Sequence, residues 1–263
     1  MITWDLDVVP LSVIFIVTIT VVLAAIEAGY RLGRWRRNTQ AGLAESEAQL
    51  SAMTGAHLAL LAFIMAFSFS MASGHYQDRR ELIMADANAI STAYLRTKLI
   101  DAPEARAIAR DLVEYTEVRS VIETLEDAPQ MMSDSDRLQA SMWQQMTALV
   151  QRQAPNITHS LLIQSLNEVF DIHDERVVAG LKKRVPRSLW AFLAALLILA
   201  MLGIGYFSGA KGNRNPIAST ALALSFSLVL LLIADLDRPA GGILRGDQAP
   251  VLEVLERMKN DPW

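Results

Sequence analysis

The residues best suited to chemistry in this sequence lie where apolar chain turns charged. The stretch "AFSFSMASGHYQDRRE" (66–81) passes from phenylalanines and serines to a histidine and then to a dense run of ions. Wound as a helix at about 100° per residue, His57, Leu61, Ile64, Ser68, Met71, His75 and Arg79 fall within about 40° of one line. A stripe that begins and ends in histidine, with one serine among apolar residues, has the makings of a pore wall with a hydrophobic constriction. It equally has the makings of a packed face, since serines in membrane helices bond their own upstream carbonyls or a neighbouring helix, and histidines suit the membrane interfaces. Both readings stand on these residues alone. Phe63, Phe67 and Ser70 form the adjoining wall, and Phe69 lies apart from both.

Two acidic groups come next. In "ADLDRP" (234–239), Asp235 and Asp237 emerge beside Arg238 at the end of the last apolar run. Cation capture, pairing with basic residues, or helix termination before Pro239 all fit, and the "PAGG" that follows predicts a sharp turn. In "NEVFDIHDER" (167–176), Asp171 and Glu175 stand at i, i+4, a spacing that suits a divalent ion or a solvated face paired with Arg176 and Lys182. Metal ligation is left unassigned on this pattern. Glu27 is the single acid of the first apolar run, with no obvious ionisable partner nearby in sequence. No phosphate-cradling glycine loop, HExxH or nucleophile elbow is present, so neither an enzyme nor a cofactor is expected. The absence of cysteine excludes disulfides, thiolate metal sites and a thiol nucleophile. A net charge of −4 argues against nucleic acid as a partner.

The elements that must position these residues are legible from the hydropathy. The chain of 263 residues is 52% hydrophobic, and the apolar residues gather in four runs, 8–30, 54–73, 188–208 and 216–234. Each is long enough to cross the hydrocarbon layer as a helix of about 20 residues. The first has no basic leader and is followed by "RLGRWRRN" instead of a cleavage site, so it is expected to be a retained anchor with the mature chain starting near Met1. Between the second and third runs the pattern is helical throughout. No proline follows Ser73 and Gly74, so the second span is expected to continue out of the membrane as one rod.

A cap at Asp101 with Pro103 in the first turn predicts the next helix, with Ile108, Leu112, Tyr115, Val118 and Ile122 on its apolar face. A break is expected at "DAPQMMSDSD" (127–136), followed by a helix capped by Ser133 or Ser135 and ended by Pro155 and Asn156. A last bundle helix is expected from about Thr158 to Lys183. In the tail, Val251, Leu252, Val254, Leu255 and Met258 read as one apolar face. The pairs Gly29 and Gly33, and Gly205 and Gly209, are small-xxx-small spacings that let helices approach closely.

The fold class is therefore all-α: a polytopic membrane protein with four transmembrane helices and a helical-bundle polar domain inserted between the second and third spans. Its divisions are 1–75 for the first two spans and their linker, 76–187 for the extramembrane bundle, 188–235 for the third and fourth spans, and 236–263 for a tail with a short amphipathic helix. Orientation signals conflict. Arg31, Arg34, Arg36 and Arg37 draw the first loop inside, whereas Arg79, Arg80, Lys182, Lys183, Arg184 and Arg187 draw the bundle inside. The second and third spans together favour a cytoplasmic bundle.

The segments "LLAFIMAFSFSMASGHYQDRRELIMADANAISTAYLR" (60–96), "VPRSLWAFLAALLILAMLGIGYFSG" (185–209) and "IADLDRPAGGIL" (233–244) resemble the bestrophin-like membrane family of bacteria. That resemblance implies a multi-pass protein of the bacterial inner membrane with its large helical domain in the cytoplasm. It further implies kinship with bestrophins, pentameric anion channels with four spans per subunit, whose second span lines the pore. On that likeness the stripe from His57 to His75 would line a central path, and Ile64 and Phe67 would lie near its constriction. Asp235 and Asp237 would occupy the region that in bestrophins takes part in calcium binding, although here only two acids flank Leu236. The expected function is a homo-oligomeric channel for small ions, anions favoured, with the lipid bilayer and further copies of the chain as partners. The alternative is a non-conducting membrane protein that senses a ligand or binds a partner.

Overall fold

The computed structural model describes residues 9–39, 47–120, 128–239, 242–244 and 246–261. Among them the secondary structure is helical, in eight helices: α1 Leu11–Thr39, α2 Glu47–Thr97, α3 Pro103–Ser120, α4 Ala128–Arg152, α5 Ile157–Leu181, α6 Arg187–Lys211, α7 Pro216–Asp237 and α8 Ala249–Asn260. Four of these, α1, α2, α6 and α7, are long and apolar enough to cross a membrane. The protein is thus an all-α membrane protein, as its hydropathy predicts. The chain divides into two compact units. One holds α1, α2 as far as Gly74, α6 and α7; the other holds α2 from His75, with α3, α4, α5 and α8.

In the first unit the predicted glycine pairs meet each other. A methyl group on Gly29 would collide with the backbone carbonyl of Leu202, and one on Gly33 with that of Tyr206. Reciprocally, Gly205 lies against the carbonyl of Ile26 and Gly209 against that of Tyr30. Backbone touches backbone along two turns of both helices, which only residues without a Cβ allow. The contacts advance together along both chains, so α1 and α6 run parallel, as the first and third crossings of a four-span chain must. Val22, Ala25 and Ile26 of α1, Leu61 and Met65 of α2, Leu193, Leu197 and Met201 of α6, and Ala223 and Leu230 of α7 complete the core.

The second unit is a helical bundle. The α2 helix is 51 residues long and unbroken, and its Ile83, Ala87, Ile90 and Tyr94 enter the bundle core. Pro103 opens α3, where its missing N–H costs nothing. Asp101 does not cap that helix; it stands one residue further out and binds Arg106 at 2.9 Å. Of the break expected at 127–136, Asp127 lies outside the described residues and 128–136 are helical. Helix α4 starts at Ala128, because Pro129 falls in its first turn where proline is tolerated, and Ser133 and Ser135 lie inside it. Asn156 caps α5, its side chain accepting from the N–H of His159 at 3.0 Å. In α8, Val251, Val254, Leu255 and Met258 join the core, whereas Leu252 points outward. Of the α3 face, Ile122 lies outside the described residues.

Candidate functional site

On α2 the predicted stripe is divided between two environments. Leu61 and Ser68 are fully buried in the first unit, on a line continued by Met65 and Ala72. Ser68 donates to the carbonyl of Ile64 at 2.8 Å, so its hydroxyl is satisfied within its own helix. Ile64, Met71, His75 and Arg79 are half-buried, at the edges of that line. His57 is exposed, its Nδ1 donating to the carbonyl of Met53 at 2.9 Å. The open wall is the adjoining one: Phe63 is 68% and Phe67 55% exposed, and Ser70 is exposed between them. Leu61 and Ser68 are thus packed in the core of their own subunit, whereas Phe63, Phe67 and Ser70 face out of it. Arg79 also lies toward the inner line, while Glu81 is exposed.

Asp235 and Asp237 are both buried, at 3% and 6% exposure, and the structure gives Asp237 a structural task. Its Oδ1 accepts from the N–H of Val185 at 2.8 Å, and its carbonyl accepts from Arg184. This clamps the end of α7 to the chain just ahead of α6, where Pro186 leaves no side-chain cap. Arg238, likewise buried, donates to the carbonyl of Val9. Among the described residues no three His, Asp or Glu side chains converge as a metal site. Glu27 does have partners: Arg31 one turn on and Arg214 from the chain ahead of α7, each at 2.9 Å. The i, i+4 spacing to Arg31 was visible in the sequence.

The densest polar cluster lies in the second unit. Asp86 of α2, fully buried, receives Arg119 of α3 at 2.9 Å and Arg176 of α5 on the same carboxylate oxygen. Arg119, 1% exposed, also donates to His173 Nδ1, and Tyr115 lies 3.2 Å from the same nitrogen. Arginine has no lone pair to offer, so Nδ1 must be an acceptor and the ring is neutral, with its proton on Nε2. That edge faces Asp136 of α4 at 4.0 Å. Burial, then the neighbouring Arg119, lowers the His173 pKa from its ordinary 6.5. Burial likewise pushes the Tyr115 phenol up to about 12 and lowers Arg176.

Each member continues an apolar stripe, and that was the signal available in the sequence. Arg119 follows Ile108, Leu112 and Tyr115; His173 and Arg176 follow Leu162, Leu166 and Val169; Asp86 sits among Ile83, Ala87 and Ile90. The acids of "NEVFDIHDER" turn outward instead, with Asp171, Asp174 and Glu175 exposed.

The bestrophin-like domain family matches residues 17–249 of this sequence. The chain belongs to the bestrophin-like family. No curated protein matches it. Among solved structures, this bestrophin-like chain resembles mutants of a bacterial bestrophin homologue from Klebsiella pneumoniae. One superposes with a TM-score of 0.67 at 15% identity, covering 94% of this chain and 97% of that one. Another gives 0.63 at 16% identity, covering 95% and 99%. A structure described as a membrane protein gives 0.67 at 14% identity, covering 95% and 98%. At such identities the likeness establishes that the bestrophin-like chain shares their fold along nearly its whole length.

Proposed function

We propose that this protein is a homo-oligomeric ion channel of the bacterial inner membrane, with the open face of α2 from each subunit lining a shared path and the bundle on the cytoplasmic side. One observation carries the reading: an entire face of α2 is left uncovered by its own subunit. Before Gly74 that face offers Phe63, Phe67 and Ser70. In the bundle it offers Met84 and Leu95, 58% and 57% exposed, which no lipid covers and a second copy of the chain would. The rings of Phe63 and Phe67 supply the apolar constriction, flanked by the edges of Ile64 and Met71, with His57 and Ser70 as polar groups along it. A pentamer and a preference for anions rest on the family resemblance. On the face itself Glu81 opposes anions, so Glu81→Gln raises the chloride-to-potassium permeability ratio.

The test is ion flux in liposomes under separate chloride and potassium gradients, beside cross-linking in membranes. A ring of defined size and a reversal potential that follows one ion support the channel. Silence with the oligomer intact favours the second reading, a non-conducting sensory or partner-binding protein. That reading draws on the burial of Leu61 and Ser68 within one subunit, and on a groove of about 390 Å³ between α4 and α5 lined by Asp136, Gln139, Trp143, Asn167 and Phe170.

A further inference from the structure

The buried cluster of the bundle holds more positive than negative charge. Arg119 and Arg176 share the one carboxylate of Asp86, and the second oxygen of that carboxylate has no partner. The arrangement stands because His173 is neutral and takes the N–H of Arg119 on its bare Nδ1. Adding a proton there removes the acceptor that Arg119 and Tyr115 share and places a second cation against the Arg119 guanidinium. Tyr115 can turn its oxygen toward the new N–H, since a phenol both donates and accepts; Arg119 has no such option.

We propose that His173 is a proton-operated latch of the helical bundle: protonated at Nδ1, it expels Arg119 and breaks the Asp86–Arg119 tie that joins α2 to α3.

The charged groups facing the ring from each packed helix give the direction. Asp86 from α2 is already committed to two arginines. Arg119 from α3 repels the imidazolium at contact distance. Asp136 from α4 attracts it, but at 4.0 Å with a side chain 72% exposed, where water screens the pull. On α5 itself, Asp174 is exposed and Arg176 adds a further cation. Burial and Arg119 dominate, so the folded bundle holds His173 below its unfolded value of 6.5. The sign follows: the unfolded chain binds the proton first, and the bundle keeps its full stability above 6.5 and loses it as pH falls below that value toward the folded pKa. The latch is a property of the bundle and does not depend on ion conduction.

The experiment follows the protein's own four histidines by NMR with histidine-specific labelling, beside amide exchange protection factors in α3 and α5, from about pH 7.5 to about pH 5. The His173 resonance should titrate below 6.5, and protection near Tyr115 and Arg119 should start to fall near 6.5, level off where His173 titrates, and drop about tenfold for each pH unit between the two. His173→Asn carries an amide oxygen on Cγ, where Nδ1 is attached, and cannot titrate; its protection factors should change less than about twofold. The proposal is overturned if His173 titrates at or above 6.5, if it does not titrate in this range, or if His173→Asn loses protection as the native protein does. Should the variant fail to fold, the native protein decides alone: protection that falls from near 6.5 and levels off at the His173 midpoint supports the latch, and protection that does not fall, or falls only below that midpoint, refutes it.

Discussion

The α1/α6 joint in the membrane unit and the α2/α3/α5 joint in the bundle solve one problem, holding long helices in register, by opposite chemistry. At the first, Gly29, Gly33, Gly205 and Gly209 remove every side-chain atom and let backbones touch. At the second, Asp86, Arg119, Arg176 and His173 fill the seam with ionised and polar groups that are almost wholly buried. The environments explain the difference. Within lipid, an apolar seam gains nothing from excluding water, so close van der Waals contact is the available attraction. In the water-bathed bundle, apolar burial already holds the helices, and ion pairs add directional contacts that fix how they meet, at a desolvation cost. The glycine joint is indifferent to pH, whereas the ionic one is not.

The largest break should come at the ionic joint. Asp86→Leu leaves Arg119 and Arg176 facing each other in the core and should cost about 3–5 kcal/mol, measured as thermal or denaturant unfolding in detergent. Replacing Asp86, Arg119 and Arg176 together by apolar residues should recover most of that loss, because no charge is then left buried and unpaired. The glycine joint should respond more mildly. Gly205→Ala forces the α1 and α6 backbones apart, at about 1–3 kcal/mol. Gly203→Ala, two residues earlier with nothing within 4 Å, should be neutral or stabilising by up to about 1 kcal/mol on helix propensity. Equal effects at 203 and 205 would refute the close seam.

A smaller loss, about 1 kcal/mol, is expected for Tyr94→Phe, whose hydroxyl reaches the carbonyls of Met258 at 3.2 Å and Asp261 at 2.9 Å and ties the end of α8 to α2. Smallest of all should be Glu27→Gln. The side chain is 36% exposed and its two ion pairs are screened, so a double-mutant cycle with Arg214 should give at most about 1 kcal/mol.

These two joints also differ in how far they could be read from sequence. Glycines four apart in two apolar runs announce themselves, and so do the four spans, because lipid demands an uninterrupted apolar stretch. The ion cluster has no local signature: Asp86 is 33 residues from Arg119 and 90 from Arg176, and only the folded bundle brings them together. Its members could be noticed as polar residues on apolar lines, but not paired. Residues 128–136 are helical where a break was expected, because Pro129 has one meaning inside a helix and another in its first turn. On α2, periodicity gathered a stripe and could not say which side of it the subunit covers. Ser68 and Ser70 have the same chemistry and two residues between buried and open.

That pair supplies the most direct measurement. The protein has no cysteine, so single cysteines can be placed in the native background and probed with a charged thiol reagent during flux recordings in liposomes. If α2 lines the path with its uncovered face, Ser70→Cys and Phe67→Cys channels should be blocked by the reagent, while Ser68→Cys conducts unaltered. Block at Ser68→Cys with none at Ser70→Cys, or no ion flux from any intact oligomer, would contradict the account.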